Sequence, residues 1–370
     1  MDVVQVVRKL GRVGGMESYV WFLSRELASL GVTVHVICES VVEMPDLRIL
    51  VHCVERSSNA RRYKALQEFS CRVSSYVQQN PDRFKSALIH SHERTDCHQI
   101  TTFHGPPIKG MTTWFRLKTF FSPRLRAWHQ MEEKELLSSQ VQSVVPVSGL
   151  LRDELEICYP GLTSKIPFIG YPGFDMDASR QLISLPNREE VVPYKCVFVG
   201  KEWSRKGLDI AIKIGETARA RLIPMELDVY GVDEHSIASL VRGRNWVKIK
   251  GWQDVVPWQH YNVLLHPARK EPFGMVVSEA LSAGLLVLCS DKVGAVEYFP
   301  QTKNISAVRL GSKIDVWVDA LGSLISLTER DSISVCGWTE VAEQYLSEYK
   351  RIMHMDAASS ISHTTQSGRP

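Results

Sequence analysis

Two carboxylates stand eight residues apart in the segment HPARKEPFGMVVSEALSAG: Glu271 in a loop after a strand-like run, Glu279 in the helix that follows. The first amides of that helix, around Gly274, Met275 and Val276, lack partners within it and suit a phosphate. A carboxylate one turn into the helix fits the two hydroxyls of a ribose. One in the preceding loop can accept hydrogen bonds from sugar hydroxyls. A second segment, CVFVGKEWSRKGLDIAI, crowds Lys201, Arg205 and Lys206 between a strand and a helix. Cations so placed can clamp a diphosphate and offset the charge that grows as it departs. Singly, the acids read as solvated loop and helix residues and the cations as a solvated turn. Together, on neighbouring strand ends, they read as a site.

Such groups need strands that deliver them into loops. The run VVQVV (3–7) suits a buried parallel strand, GRVGG (11–15) breaks it, and Val20, Leu23, Leu27 and Leu30 recur at helical spacing. Gly31 closes that helix and VTVHVIC (32–38) is the next strand. The pattern recurs with SALIHSH (86–92), VQSVVPVS (141–148) and KIPFIGYPG (165–173). A second series runs KCVFVG, MELDVYG, WVKIKG, NVLLHPA and LLVLCS. Apolar strands alternating with amphipathic helices predict open parallel sheets covered on both faces, with ligands at the carboxyl ends of the strands. The boundary between the two series falls within Tyr171–Tyr194. Near the end, Val341, Ala342, Tyr345, Leu346, Tyr349 and Ile352 mark an amphipathic helix, and the small polar residues after it read as a disordered tail.

The segment KEPFGMVVSEALSAG resembles the E-x7-E motif of family 4 retaining glycosyltransferases with the GT-B fold, and VGKEWSRKGLD is similar to their diphosphate-binding loop. The resemblance extends to VGGME (13–17) as the N-terminal glycine loop, YPGFD (171–175) at the linker and GAVEYF (294–299) after the following strand. It implies two Rossmann-like α/β domains facing across a cleft: residues 1–170 for the acceptor and the membrane face, residues 171–338 for the nucleotide-sugar donor. A crossover helix (339–355) would return to the first domain, ahead of the tail (356–370). The resemblance also assigns roles. Lys201, Arg205 and Lys206 would hold the diphosphate, Glu279 the ribose and Glu271 the transferred sugar, while the amides of Phe273, Gly274, Met275 and Val276 line sugar and phosphate. Gly14 and Gly15 would let backbone approach the phosphates, where a Cβ would intrude. His104, in TTFHGPP, matches a histidine near the reacting carbon. The segment 89–104 further resembles lipopolysaccharide core glycosyltransferases, which would bring His92, Glu93, Arg94 and Asp96 near the acceptor.

Three other patterns fail on context. Gly11, Gly14 and Gly15 followed by Glu39 mimic a dinucleotide site but lack G-x-G-x-x-G. Asp175-Met176-Asp177 spells a metal-binding D-x-D, yet falls in the linker rather than after a strand, so no essential metal is expected. His104-Gly105 has no G-x-S-x-G partner, which leaves hydrolase chemistry without a nucleophile.

Length and composition agree with two soluble domains: 370 residues, 44% hydrophobic and 23% charged. The net charge of +3 gives no sign of nucleic-acid binding. Its distribution is uneven, for residues 1–172 carry 21 basic against 17 acidic side chains, so the first half is the one to face an anion. Between Asp96 and Glu132 there is no acid. Lys109, Arg116, Lys118, Arg124 and Arg126 are interleaved there with Trp114, Phe115, Phe120, Phe121 and Trp128, a composition suited to an anionic bilayer surface. The alternatives are a core with a solvated basic face, or a cleft for a phosphorylated glycolipid. Eight cysteines without a C-x-x-C pair fit a reducing cytoplasm, and neither a signal peptide nor a membrane span is apparent. The expectation is a metal-independent, cofactor-free transferase, peripheral on the cytoplasmic face of the inner membrane. It would move a sugar from a nucleoside diphosphate sugar, with UDP favoured, to a lipid-linked glycan in lipopolysaccharide core or other envelope assembly. An epimerase or donor hydrolase on the same fold, or a silent sugar-nucleotide-binding protein at the membrane, are the rivals.

Overall fold

Short runs of Val, Ile and Leu, apolar on both faces, become the inner strands of two parallel sheets. The computed structural model describes residues 1–109, 121–174, 193–253, 255–333 and 336–366. The chain divides into two compact units, the first made of Met1–Gly173 with Cys336–Pro370 and the second of Phe174–Val335.

The first unit contains β1 (Asp2–Val6), β2 (Lys9–Leu10), β3 (Thr33–Cys38), β4 (Ser40–Val41), β5 (Ile49–Cys53), β6 (Leu88–Ser91), β7 (Ile100–Phe103) and β8 (Ser143–Pro146). Six of them form a sheet in the order β5-β3-β1-β6-β7-β8, every pair parallel, while β2 and β4 pair separately. Parallel neighbours require crossovers, supplied chiefly by α1 (Gly15–Ser29), α2 (Arg62–Gln79) and α3 (Pro123–Leu137), while α4 (Gly149–Cys158) follows β8. Local chemistry sets where helices begin. The Ser122 hydroxyl accepts the Leu125 amide ahead of Pro123, and the Ser148 hydroxyl accepts that of Leu151. Val4, Val6, Ile37, Phe69 and Ile89 close the core between sheet and helices. The expectation of a strand at 165–173 is not met. Pro160–Lys165 is a 3-10 turn, and the following residues join no ladder because Pro167 and Pro172 have no amide to donate. A bond from the Gly170 amide to the Pro146 carbonyl (2.9 Å) holds that stretch beside β8.

The second unit repeats the plan with β9 (Tyr194–Val199), β10 (Met225–Tyr230), β11 (Val247–Gly251), β12 (Val263–His266), β13 (Leu286–Ser290) and β14 (Ile305–Val308). Their order is β11-β10-β9-β12-β13-β14, again all parallel. Helices α5 (Leu208–Ala220), α6 (Met275–Ser282) and α7 (Ile314–Ile325) complete it, over a core that includes Phe198, Leu208, Leu227, Leu265 and Trp317. In both sheets the strand order reverses at the centre, beside β1 and β6 in one and β9 and β12 in the other. Loops leaving adjacent strands there diverge to opposite faces and open a crevice for a ligand. The sequence places Lys201, Arg205 and Lys206 after β9 and Glu271 after β12.

The last helix, α8 (Trp338–Gln366), packs on the first unit. Trp338, Val341, Ala342, Tyr345, Tyr349 and Ile352 form its buried stripe at helical spacing. The Trp338 ring stacks on Phe22 with centroids 5.3 Å apart and meets Tyr19 edge-on at 5.0 Å. Further along, Glu348 is buried between Ser143 of β8 and Arg351. The backbone stays helical to Gln366, beyond the expected end at residue 355, since extending a helix already nucleated by packing costs little. Truncating its anchor should be costly. Trp338→Ala is expected to lower the unfolding free energy of the first unit by about 3–5 kcal/mol, read from urea denaturation. A loss below about 1 kcal/mol would mean the helix is not a structural part of that unit.

Candidate active site

Glu271 is the centre of the site in the second unit. It leaves β12, lies 8% exposed, and is pinned by its own backbone, whose amide donates to Lys292 and whose carbonyl accepts from Gly294. Its Oε2 receives the Arg205 guanidinium and the Lys206 ammonium, each at 3.2 Å, and His266 Nε2 stands 3.5 Å away. Its Oε1 makes no hydrogen bond among the described residues. Burial alone would lift this carboxyl, but His266 and the two cations outweigh it and hold the group well below the usual carboxylate range. His266 is fully buried, which lowers its own proton affinity; its Nε2 faces Glu271, and among the described residues its Nδ1 has no hydrogen-bond partner.

The loop after β9 is built to bring the cations there. Arg205 donates to the Lys270 carbonyl (2.6 Å) and to Glu202 (2.6 Å). Arg269 ties the two loops together, donating from its backbone to Arg205 and from its side chain to the Ser204 carbonyl and Asp209. The stem of Lys206 lies across Gly200. A Cβ added at Gly200, whose φ is +155°, would fall 2.2 Å from the lysine Cδ. On the other side, α6 starts at Gly274 and presents the first-turn amides of Met275 and Val276, with Phe273 buried just before. Glu279 lies on the exposed side of α6. Desolvation by neighbouring atoms raises its carboxyl affinity for a proton, while Lys206 pulls it down. Lys201 turns elsewhere. Its ammonium sits 3.9 Å above the Trp252 ring, on the wall of a cavity of about 730 Å³ that Gly231, Asp233 and Lys250 also line.

In the first unit, the loops after β1, β6 and β7 carry the other expected residues. Gly14 caps α1 in extended backbone, Gly15 opens that helix, and Glu17 occupies the space beside Gly14. His104 follows β7, and its Nε2 lies 2.9 Å from Nδ1 of buried His92. Burial pushes His104 down to about 3, and His92 is likewise held well below its ordinary value by burial and its histidine neighbours. Glu93 receives the Arg8 amide (3.4 Å), and burial lifts its carboxyl to about 7 against the pull of Arg8, with Glu17 adding to the rise.

Arg94 and Asp96 do other work. Arg94 pairs with the buried acids Glu132 (3.2 Å) and Glu135 (3.7 Å) and lies over the Trp128 ring, while Asp96 accepts from Ser70, Ser74 and Lys134. Lys109 is also tied in, its amide on Glu132 and its ammonium 4.5 Å above Tyr159. Of the basic aromatic stretch, Phe121, Arg124 and Arg126 are exposed at the start of α3. Trp114, Phe115, Arg116, Lys118 and Phe120 lie outside the described residues, as does the Asp175–Asp177 pattern. Among the described residues no three metal-ligating side chains converge, and no helix is long and apolar enough to cross a membrane.

His266, Arg269 and Trp252 are the site residues that sequence reasoning missed. His266 was visible as the polar residue closing an apolar strand, VLLH; the other two become neighbours only through the fold.

Known proteins match both halves of this arrangement. Residues 13–177 match Glycosyltransferase Family 4, and residues 193–327 match Glycosyl transferases group 1. No curated protein sequence matches the chain. Among solved structures, WaaG, a glycosyltransferase involved in lipopolysaccharide biosynthesis, has a TM-score of 0.71 at 16% identity, covering 93% of this chain and 94% of its own. Sucrose-phosphate synthase from Thermosynechococcus elongatus has a TM-score of 0.67 at 17% identity, with 96% and 99% covered. Anabaena HepE in complex with UDP and glucose has a TM-score of 0.58 at 14% identity, with 98% and 100% covered.

Two outcomes follow from the geometry. Gly200→Ala should dislodge Lys206 from Glu271, costing at least about 1 kcal/mol of stability in urea unfolding; unchanged stability would mean that the contact does not depend on this glycine. Six histidines of the first unit, at positions 35, 52, 90, 92, 98 and 104, are held below their ordinary values. The unfolded chain takes up protons below about pH 6.5 that the folded unit refuses, so stability must fall as pH drops from there toward 4. Glu93 and Glu135, both raised to about 7, act oppositely, losing stability as pH rises toward 7. Six groups outweigh two. Urea unfolding at pH 7 and pH 5 should show a net loss of about 2 kcal/mol or more; equal stability would mean the rings are not buried neutral.

Proposed function

The chain belongs to the family 4 glycosyltransferases with the GT-B fold, and on that premise we propose that it transfers a hexose or related sugar, with retention, from a nucleoside diphosphate sugar to a lipid-linked glycan. The observation that carries this reading is Glu271, with one oxygen held by Arg205 and Lys206 and the other free. The free oxygen accepts hydrogen bonds from hydroxyls of the transferred sugar. The same two cations, with the first amides of α6, lie where a departing diphosphate gathers charge, and they stabilise it without rearrangement. Lys201 and Trp252 border the cavity that takes the rest of the nucleotide, and Glu279 takes the ribose.

The acceptor hydroxyl attacks the anomeric carbon on the face the diphosphate leaves. The carbon–oxygen bond to phosphate breaks, and the acceptor proton passes to the departing phosphate oxygen. Glu271, pinned by two cations, serves as a hydrogen-bond acceptor rather than a nucleophile. In this scheme Lys206 and Arg205, not a metal, balance the leaving group. UDP is the favoured nucleotide, in keeping with the UDP and glucose held by HepE. The lipopolysaccharide role of WaaG supports an envelope glycan as acceptor. The basic excess of the first half and the exposed Phe121, Arg124 and Arg126 support a peripheral site on the cytoplasmic face of the inner membrane.

The test is release of nucleotide from a panel of UDP-, GDP- and ADP-sugars, with and without a membrane glycolipid extract. Release from one donor that requires the extract is expected. Release without extract would replace the reading by an epimerase or hydrolase, and binding without release by a silent binding protein. Glu271→Gln should lower kcat by about 100-fold or more while nucleotide affinity changes little.

A further inference from the structure

A single string of buried hydrogen bonds runs through the first unit and ends on His104. Tyr19 Oη donates to the Gly170 carbonyl (3.0 Å) and also meets Tyr345 Oη (3.0 Å). Tyr345 Oη meets Thr102 Oγ1 (2.6 Å), which meets His90 Nε2 (2.7 Å). His90 Nδ1 meets Tyr349 Oη (2.7 Å), and Tyr349 receives the Gln5 amide nitrogen (3.1 Å). Gln5 Oε1 meets His92 Nε2 (2.7 Å), and His92 Nδ1 meets His104 Nε2 (2.9 Å).

Each hydroxyl owns one proton, and each of the three desolvated imidazoles is neutral and owns one as well, with no carboxylate beside it among the described residues to favour a second. The protons can therefore be assigned from one end. A carbonyl cannot donate, so the Tyr19 proton goes to Gly170. The Tyr19–Tyr345 contact must then use the proton of Tyr345, and Tyr345–Thr102 that of Thr102. His90 consequently donates from Nε2 to Thr102 and accepts at Nδ1 from Tyr349. Tyr349 has spent its proton, so Gln5 donates to it and accepts through Oε1 from His92 Nε2. His92 Nδ1 is left to accept, and the donor is His104 Nε2. Reversing the string would leave the Tyr19–Tyr345 contact, at 3.0 Å, with no proton between two oxygens.

We infer that the Gly170 carbonyl, acting through this one-way string, fixes His104 as the Nε2-protonated tautomer, so that its Nδ1 lone pair accepts the proton of a substrate sugar hydroxyl. Among the described residues Nδ1 of His104 has no hydrogen-bond partner. Gly170 is suited to its part by having no side chain. A Cβ there would lie 2.6 Å from Tyr345 Oη and 2.9 Å from Tyr19 Oη, displacing both. Tyr19, Tyr345, Thr102, His90, Tyr349, Gln5 and His92 are positioning residues; His104 alone meets the substrate. That last contact rests on the glycosyltransferase reading above, whereas the tautomer does not.

The tautomer is read directly from the ring-nitrogen shifts of the full chain carrying 15N-labelled histidine, with His104 assigned by its loss in His104→Ala. The expected spectrum has a pyridine-type Nδ1 and a pyrrole-type Nε2 for His104. Tyr19→Phe keeps the aromatic packing but removes the proton that sets the direction, so the His104 signals should move toward the other tautomer or to an average. A protonated Nδ1 in the wild type, or unchanged His104 signals in Tyr19→Phe, would overturn the inference whatever the activity. With the donor turned over in the panel assay, Tyr19→Phe should lower kcat by about tenfold with KM within about twofold. An unchanged kcat beside a shifted tautomer would overturn the substrate contact. If no donor is consumed, the glycosyltransferase reading and that contact fall, and the spectrum still decides the tautomer.

Discussion

A polar group taken out of water must be paired inside the protein, or it costs about 1–3 kcal/mol, and more if it is charged. That constraint organises both units. In the second, a buried carboxylate can exist beside β12 only because the β9 loop delivers two cations to it. Those cations are in turn held by carbonyls and by the Arg269–Asp209 pair. In the first, α8 brings two tyrosine hydroxyls into an apolar interior, and each is met by partners on β1, β6, β7 and α1. The helix is thereby fixed in rotation and in height against the sheet, since a shift of one residue would take both hydroxyls from their partners.

The same strand order in both sheets explains where the chemistry gathers. Each sheet reverses direction at its centre, and the residues with unusual surroundings sit in loops beside that reversal: Glu93, His92 and the β1 loop in one, Glu271 and the cation loop in the other. The sheet supplies rigidity, and loops of few residues supply the groups. Cations already fixed beside a buried carboxylate in such a loop need little reorganisation to meet a further negative charge.

Much of this was legible in the sequence, and the reasons differ from place to place. The strands around VVQVV, KCVFVG and NVLLHPA announced themselves because strands buried on both faces are continuously apolar. Glu271, Arg205 and Lys206 were legible as a group because type and spacing together limit what a strand–loop–helix can do. Short edge strands such as Ile49–Cys53 and Ile305–Val308 left no comparable mark, being only partly buried. KIPFIGYPG looked like a strand by composition, but its prolines remove the donors a ladder needs. Arg94 and Asp96 were legible as charged residues beside a suspected site, yet nothing in their spacing told that Glu132 and Glu135, on α3, would claim one and two serines of α2 the other. Lys201 was read with its neighbours, whereas Trp252, remote in sequence, takes its ammonium. The pairings that escaped are all between residues far apart in the chain.

The first unit is built from two separate stretches of chain, with the whole of the second unit inserted between them. A ribosome making this protein completes the second unit's sequence before it reaches Trp338. That unit, contiguous from end to end, has everything it needs to fold early. The first unit must wait. Until the final helix emerges, its sheet lacks the stripe that covers it, and Gln5, His90 and Thr102 lack the tyrosine hydroxyls they bind. The window between synthesis of the first strand and arrival of the last helix is when an exposed apolar surface is open to wrong partners. The helix made after the second unit decides whether the strands made before it become a finished fold.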